Sequence, residues 1–329
     1  MIQCGILTAM NTNFLYQNDE EITVDAYFEE WIGRKRLTAR GNTIKTYKNR
    51  YYKHIAPFFG SRMVKSIVRR EVLKLQHALA EEYTVRTAND AIKLLGMILN
   101  DAVRDEVIER NPAASVSAVR KMEDKAADTY HRALTEEEQQ LFMSALAGNH
   151  YYGFIAFLLC TGMRSGEAAA LCWEDIDEKA NMIRINKTFT FDENGGPSVG
   201  PPKSLSSVRE IPLTETTRYI LYLQQKKVPK VRGQIIFPAS TGGMINNHAV
   251  NRAIDKTRKY LEEQGTTIRP FTAHALRDTF ATRFIEQGGN PQTLKTILGH
   301  SSLHMTMDLY SHVLPSTKQK EMDMLRIYV

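Results

Sequence analysis

The sequence is poor in cysteine and has no long apolar run. Its 329 residues include three cysteines, Cys4, Cys160 and Cys172, which is an odd number without a CxxC pair. This usage excludes a disulfide-stabilised scaffold and is typical of a reduced, cytoplasmic protein. No apolar stretch approaches the roughly 18 residues that a membrane helix needs, and the first residues do not form a signal peptide. We therefore expect a cytoplasmic protein without a membrane partner.

The length and the hydrophobic patterning predict two domains. A polar, aperiodic stretch separates an all-helical pattern from a mixed one, and we interpret it as an interdomain linker. The predicted segments are an N-terminal tail at 1–20, a helical domain at 21–118, the linker at 119–131, and a mixed domain with a C-terminal tail helix at 132–329.

The first domain is predicted to be an all-α bundle. Apolar residues recur at helical spacing in "ITVDAYFEEWI" and in the long pattern from residue 85 to 103. Two further helices are predicted near residues 43–59 and 70–82. The stretch "ERNPAASV" ends the last helix, because proline removes a backbone donor and restricts the preceding residue.

The second domain is predicted to be mainly α with a small antiparallel β-sheet. "LTEEEQQLFMSAL" opens a helix with a capping-box pattern from Thr135 to Glu138, and "YYGFIAFLLCTG" is an apolar helix that ends near Gly162. "MIRINKTFTF" alternates as one strand, "DENGGPSVGPP" is a turn-rich loop, and "SVREIPL" returns as a second strand. The remaining residues are mainly helical.

Acidic residues are missing from one stretch of the first domain. Between Arg34 and Lys53 the chain carries eight basic residues and no acid, and residues 21–118 hold 17 basic and 12 acidic residues, a net charge of +5. Such cations pair with phosphates, and interleaved tyrosine rings can lie along sugar or base edges, although a solvated helix face is the alternative. The predicted DNA-contact residues are Arg34, Lys35, Arg36, Arg40, Lys45, Tyr47, Lys48, Arg50, Tyr51 and Lys53.

Two cations of the second domain stand where an anion could bind. Arg164, in "TGMRSGE", lies where a helix is predicted to restart, and the free backbone donors of a helix start favour an anion. Glu167, three residues later, can brace the guanidinium. Lys203 lies on a loop between two predicted strands and can donate a proton. Alone, each is also typical of an ordinary surface residue.

A histidine and an arginine share one predicted helix face in "FTAHALRDTFATRFIEQGG". His274 and Arg277 are three residues apart, and Leu276, Phe280 and Phe284 are predicted to form the opposite, buried stripe. Arginine offers a fixed fork to two phosphate oxygens. Histidine adds a donor or a base near neutral pH. We find no group of carboxylates and further histidines around His274 that would make up a ligand set, so we expect no metal site.

The stretch "LGHSSLHMTMDLYSHV" holds three histidines and one tyrosine. His300 follows Gly299, which stands just past a helix predicted for "NPQTLKTIL". Tyr310 lies ten residues further on a predicted short helix. His304 and His312 are interpreted as surface or packing residues.

These elements together resemble one protein family. Arg164, Lys203, the His-x-x-Arg at 274–277, the Leu-Gly-His at 298–300 and Tyr310 occur in the order and at roughly the spacing found in the tyrosine recombinase (phage integrase) family. The resemblance covers nearly all of the second domain, and the basic helical first domain is similar to the core-binding domain of the family. Members of that family are site-specific DNA recombinases that need no metal or other cofactor.

The similarity is greatest to integrases of conjugative transposons and Gram-positive temperate phages. "KTYKNRYYKHIAPFFG" and the long loop before "SSVREIPL" carry this similarity. Those integrases usually have an additional N-terminal arm-binding domain. About twenty residues are too few for one, so we expect a truncated chain or a simpler member.

The resemblance implies a role for each site residue. Tyr310 would be the nucleophile that forms a 3′-phosphotyrosyl intermediate. Arg164 and Arg277 would hold the non-bridging phosphate oxygens, with Glu167 orienting Arg164. Lys203 would protonate the leaving 5′-oxygen, His274 would act as acid–base partner of Tyr310, and His300 would donate to the phosphate.

The resemblance also implies partners and leaves two alternatives open. Double-stranded DNA attachment sites, a homotetramer on DNA with exchange of the C-terminal tail, and a DNA-bending or excision accessory protein are the expected partners. A type IB topoisomerase would share the chemistry but relax supercoils without exchanging strands between partners. A decayed integrase kept as a DNA-binding regulator is the other alternative, and the filled catalytic positions argue against it.

Overall fold

The computed structural model describes residues 22–120, 132–202, 204–231, 233–300 and 302. These residues form two compact units, one made of 22–120 with 192–196, the other of 132–191 with 197–302. The predicted tail at 1–20, nearly all of the predicted linker and the predicted C-terminal tail helix lie outside the described residues.

The first unit is helical, as the sequence predicts. In the first helix, α1 (Val24–Arg36), the side chains of Tyr27, Phe28 and Trp31 are fully buried, which confirms the helical spacing of "ITVDAYFEEWI". Thr23 caps this helix by accepting a hydrogen bond from the Ala26 N–H. Its helices are α1 (Val24–Arg36), α2 (Gly41–Arg50), α3 (Ala56–Phe59), α4 (Arg69–Glu82) and α5 (Val85–Arg104).

The predicted helix near 43–59 is interrupted by a π turn. Residues Tyr51–Ile55 join α2 to α3, and the Ala56 N–H donates to the Tyr51 carbonyl, five residues back. Pro57 has no N–H, but it stands in the first turn of α3, where a missing donor costs little. The turn places the Tyr51 ring in the core, stacked on Phe28 with ring centroids 3.6 Å apart.

The second unit contains seven helices among its described residues. Thr135 and Glu138 form the predicted capping box, and Gly162 ends the helix Tyr152–Thr161 in the left-handed conformation with φ +62°. Asn290 caps the last helix and Gly299 ends it with φ +67°. The helices are α6 (Glu136–Ala145), α7 (Tyr152–Thr161), α8 (Ser165–Ala169), α9 (Glu215–Gln225), α10 (Asn247–Glu263), α11 (Ala273–Glu286) and α12 (Pro291–Leu298).

Two small antiparallel sheets replace the single predicted hairpin. The prediction of one strand for "MIRINKTFTF" is wrong, because Asn186 and Lys187 separate two strands that belong to different sheets, and Lys187 pairs with Asp175 at 2.9 Å instead of continuing the strand. One sheet has the order β1 (Ile176–Asp177), β2 (Met182–Ile185) and β5 (Arg209–Pro212); the other pairs β3 (Thr188–Phe191) with β4 (Pro197–Gly200).

Two further sequence interpretations need correction. "DENGGPSVGPP" is not entirely a loop, since β4 pairs with β3 from Phe191↔Pro197 to Thr188↔Gly200. A two-stranded sheet has only edges, so a terminal proline is tolerated there. On α11, Leu276 is fully buried as predicted, but Phe280 and Phe284 are only partly buried and pack on a separate small cluster.

Phenylalanines 58 and 59 offer a matched test of the first core. Phe59 is 2% exposed and Phe58 is 48% exposed. We expect Phe59→Ala to lower the free energy of unfolding of the first unit by about 3–5 kcal/mol, because it leaves a cavity. Phe58→Ala should cost less than about 1 kcal/mol. Urea unfolding followed by Trp31 fluorescence in a Trp173→Phe background measures both; equal losses would contradict the packing described.

Candidate active site

Arg164 and Glu167 form the first part of the site. Gly162 turns the chain out of α7, and Arg164 stands at the N-cap of α8 with its side chain 38% exposed. Glu167 is 2% exposed, lies 2.8 Å from the Arg164 guanidinium and accepts the Arg164 backbone N–H at 3.0 Å. The predicted bracing contact is therefore present.

Glu167 is ionised despite its burial. Burial opposes the charged form, but hydrogen bonds and charge from Arg209, together with the backbone N–H and the charge of Arg164, more than offset this effect. The pKa of Glu167 consequently lies below its ordinary value. The carboxylate is a permanent negative charge under the arginines of the site.

Arg277 is buried and held by backbone carbonyls. Its side chain donates from Nη1 to the Gly162 carbonyl and from Nη2 to the Leu298 carbonyl, both at 2.7 Å. Burial, followed by the charge of Arg164, lowers the pKa of Arg277 to about 9. The guanidinium therefore remains cationic at neutral pH, in a fixed orientation.

The two predicted histidines differ in environment. His274 is half exposed on α11, with its Nε2 3.8 Å from the Asp278 carboxylate. His300 follows Gly299 and is buried, and its backbone N–H donates to the Lys295 carbonyl at 3.1 Å. Burial, then the charges of Arg277, Arg164, Arg209 and His274, lower the pKa of His300 to about 4.

Three of the predicted residues line one cleft of about 290 Å³. Its walls come from α8, β3 and the starts of α10 and α11, and its titratable side chains belong to Arg164, His274 and Arg277, beside the polar side chains of Ser165, Thr190 and Asn247. A larger cleft of about 500 Å³ lies beside Leu159, Phe280 and Arg283, away from these residues. The convergence of cations on the smaller cleft suits an anionic ligand such as a phosphate.

Arg209 is a site residue that the sequence interpretation missed. It lies on β5, its side chain is 4% exposed, and it pairs with Glu167 at 2.9 Å. In the structure Arg209 and Ile211 share the buried face of β5 while Glu210 and Pro212 are exposed, and the alternation in "SVREIPL" was the partial signal for this burial. A charge on the buried face of a strand indicates a buried partner.

Two predicted catalytic residues, Lys203 and Tyr310, lie outside the described residues, as do His304 and His312. The described part of the chain has no cluster of three or more histidine, cysteine, aspartate or glutamate side chains that could hold a metal ion. It also has no helix long and apolar enough to cross a membrane.

Several members of the predicted DNA-contact set are engaged within the first unit. Arg34 pairs with Asp105 at 2.6 Å, Lys35 with Asp101 at 2.9 Å, Arg50 with Asp90 at 2.9 Å and Arg36 with Glu193 of the same unit at 2.8 Å. Tyr47, Lys45 and Lys48 are half-buried, whereas Arg40 and Lys53 are exposed.

Tyr51 does not lie on a DNA-facing surface, so this interpretation is corrected. Its side chain is fully buried and its hydroxyl donates to the Asp25 carboxylate at 2.6 Å. The alternation of tyrosines and cations in "KTYKNRYYK" does not separate buried from exposed rings, because the π turn shifts the register of the helix face.

Comparison with known proteins gives the family. Residues 132–317 match the phage integrase family and residues 24–119 match the phage integrase central domain. The chain belongs to the phage integrase family. It is a site-specific recombinase of the tyrosine type that serves a mobile element, similar to the integrases of conjugative transposons, as the sequence predicts.

Relatives among mobile-element integrases align over most of the chain. The ICEBs1 integrase of Bacillus subtilis is 27% identical over 290 residues, covering 84% of this chain and 76% of that protein. The transposase from transposon Tn916 of Enterococcus faecalis is 26% identical over 295 residues, covering 81% and 68%.

Solved structures share the fold. The Tn1549 transposon integrase in complex with a circular intermediate DNA has a TM-score of 0.76 at 22% identity, covering 93% of this chain and 100% of that one. A lambda integrase dimer bound to a COC′ core site has a TM-score of 0.68 at 16% identity, covering 88% and 78%. The predicted fold class, mainly α with small antiparallel sheets, is confirmed.

The low pKa of His300 predicts a pH-dependent stability. Between about pH 4 and pH 6.5 the unfolded chain binds a proton at His300 that the folded chain does not, so folding weakens as the pH falls through this window. The loss should reach about 3 kcal/mol near pH 4.

Comparison with His300→Gln isolates this contribution from that of other titrating groups. Urea unfolding followed by Trp173 fluorescence, in a Trp31→Phe background, should show the wild type losing stability relative to the variant as the pH falls. A difference between the two proteins that is constant from pH 7 to pH 4.5 would contradict the burial of a neutral imidazole.

Proposed function

We propose that this recombinase cuts and rejoins double-stranded DNA attachment sites through a 3′-phosphotyrosyl intermediate on Tyr310. The observation that carries this proposal is the convergence of Arg164, His274 and Arg277 on one cleft, with His300 beside them. A cluster of fixed cations is what a phosphodiester needs when negative charge builds up in its transition state.

Arg164 and Arg277 would bind the non-bridging oxygens of the scissile phosphate. Arg164 is partly exposed on the cleft, while Arg277 uses two of its five N–H donors on carbonyls and keeps the others for a ligand. Both are oriented before DNA arrives, so little reorganisation is needed at the moment of reaction. Glu167 orients the Arg164 guanidinium through their ion pair at 2.8 Å.

Tyr310 gives up one proton in the proposed reaction, and the leaving oxygen takes up another. The Tyr310 hydroxyl loses its proton to His274, and its oxygen attacks the phosphorus. The bond from phosphorus to the 5′-oxygen breaks, and Lys203 protonates that leaving oxygen. His300, which is neutral before DNA binds, donates its ring N–H to the phosphate. Rejoining reverses these steps with a 5′-hydroxyl as the nucleophile.

The chemistry requires no cofactor in this proposal. Cationic side chains occupy the place that Mg²⁺ takes in many other phosphoryl-transfer sites. The energy of the broken phosphodiester is kept in the phosphotyrosyl bond, so ATP is not needed for resealing.

The basic stretch of the first unit would bind the DNA backbone. Arg40 and Lys53 are exposed, and Lys45 and Lys48 are partly exposed on the same segment. We propose phosphate contacts for these four residues, and for Tyr47 at a sugar edge. Arg34, Lys35, Arg36 and Arg50 each face a carboxylate at 2.6–2.9 Å, with which a DNA phosphate would compete.

Assembly on DNA would use the end of the chain. A structure of lambda integrase shows that protein as a tetramer on a Holliday junction, which supports the proposal of a homotetramer here. The residues after Tyr310 would link neighbouring protomers, and a DNA-bending or excision protein would set the direction of the reaction. The cytoplasm, where element and chromosome meet, is the proposed location.

Tyr310→Phe tests the chemical proposal. With a nicked duplex spanning the junction of the excised element, the wild type should form a covalent protein–DNA adduct and the variant none, because the phenyl ring lacks the attacking oxygen. EDTA should leave the adduct yield unchanged. An adduct that persists in Tyr310→Phe would refute Tyr310 as nucleophile, and supercoil relaxation without recombinants from a two-site substrate would favour a topoisomerase.

Deletion of residues 316–329 tests the assembly proposal. Synaptic complexes on DNA should weaken while the fold and single-site binding are retained, because the deleted segment would bridge protomers. Native gel electrophoresis separates single-site from synaptic complexes. Undiminished synapsis by the deletion variant would rule the bridge out.

A further inference from the structure

One buried guanidinium, that of Arg209, contacts three segments of the second unit, two of which carry proposed site residues. Arg209 opens β5, and its side chain is 4% exposed. Its partners belong to α8, to the turn that precedes β5 and to the end of α12. None of these contacts follows from the role of Arg209 as a strand residue.

The contact with α8 sets the orientation of Arg164. Arg209 Nη2 lies 2.9 Å from Glu167 Oε2, and its Nη1 lies 3.2 Å from Glu167 Oε1. The same carboxylate lies 2.8 Å from the Arg164 guanidinium. Because Arg209 donates hydrogen bonds to both oxygens of Glu167, the orientation of this carboxylate is fixed. The Arg164 guanidinium is oriented in turn by its hydrogen bond to Glu167.

The contact with α12 sets the position of His300. Arg209 Nε donates to the carbonyl of Ile297, three residues before His300. Gly299, with φ +67°, lies between them, and a Cβ added there would come within 3.0 Å of Arg209 Cδ. Its backbone conformation therefore favours glycine, and an added Cβ would also press on the Ser206 carbonyl at 2.9 Å and on the Arg209 side chain.

The third contact joins the turn before β5. Arg209 Nη1 donates to the Ser207 carbonyl at 3.0 Å, and the buried Ser207 hydroxyl lies 3.5 Å from Arg164 Nη1. Four of the five N–H donors of Arg209 are thus occupied by protein acceptors. With its side chain 4% exposed and one donor remaining, Arg209 is not placed to bind a phosphate itself.

We propose that Arg209 is a positioning residue for DNA cleavage, which holds Arg164 and His300 in a common geometry without touching the DNA. The inference rests on the catalytic roles proposed above for those two residues. A purely structural ion pair is the competing explanation, but buried pairs are often no more stabilising than apolar replacements. The joining of two site-bearing segments through one side chain is what distinguishes Arg209.

Lysine cannot replace arginine in this position. An ammonium keeps the positive charge beside Glu167, but its three donors radiate from one atom and cannot reach the four acceptors that the planar fork spans. Arg209→Lys therefore separates charge from geometry. Arg184→Lys is the matched control, because Arg184 lies on the neighbouring strand β2, pairs with Asp177 and Glu210, and is half exposed.

The experiment measures three quantities on the full chain with the nicked junction duplex. They are the single-turnover rate of covalent adduct formation, the Kd for the duplex and the thermal midpoint. Arg209→Lys should slow adduct formation by about 100-fold, the effect expected of a small misplacement of catalytic groups, with the Kd unchanged within about twofold. Arg184→Lys should match the wild type in all three.

A double-mutant cycle on the rate of adduct formation tests whether Arg209 and Glu167 act on Arg164 together. Glu167→Gln, which is nearly isosteric, should slow adduct formation by a similar factor, and the double variant should be no slower than either single variant, because both act on Arg164 through one contact. If Arg209→Lys or Glu167→Gln proves unfolded at the assay temperature, the rates are compared at a lower temperature at which circular dichroism shows both variants folded.

Two outcomes would overturn the proposal. In the first, Arg209→Lys and Glu167→Gln form the adduct as fast as Arg184→Lys does. In the second, rate, DNA affinity and thermal midpoint fall together, which is the pattern of a structural ion pair. Failure of the proposed function would look different. In that case the wild type and Tyr310→Phe would form the same amount of covalent adduct, or none.

Discussion

The site depends on one buried carboxylate among like charges. Arg164, Arg209 and Arg277 crowd the same region and would repel one another without Glu167, which is 2% exposed and bonded to two of them. Removing such a partner leaves uncompensated buried charge, which typically costs several kcal/mol. Glu167 therefore permits a density of cations that the fold could not otherwise hold, and an incoming phosphate meets a site that still has excess positive charge.

Burial, reinforced by this excess charge, lowers the pKa of His300 and keeps it neutral before any ligand arrives. The neutral ring has one N–H to donate and one nitrogen to accept. An anion bound between the arginines would offset their field, so the imidazole is sensitive to occupancy of the site. The basic stretch of the first unit differs in its balance of charge. There Arg34, Lys35, Arg36 and Arg50 each have a separate carboxylate within 2.9 Å, whereas Arg164 and Arg209 share Glu167.

Local chemistry made much of this fold predictable. The capping box at Thr135, the glycine ends at Gly162 and Gly299 and the apolar face of α1 are local patterns, and the structure has all of them. The predictions that were wrong involve partners distant in sequence. The division of "MIRINKTFTF" depends on which strands pair with each half, and Arg209 is a site residue only because Glu167 and Ile297 lie beside it. No local window of sequence contains those neighbours.

The contacts of Arg277 have a consequence for how the site can change. Its two acceptors, the carbonyls of Gly162 and Leu298, stand at the C-terminal ends of α7 and α12, where the helix dipoles are negative. Backbone groups are present whatever the side chain, so substitutions that spare the two left-handed glycines leave this cradle intact. The part of the site that depends least on side-chain identity is therefore made of main chain. Substitutions in the surrounding helices can accumulate without loss of the orientation of Arg277.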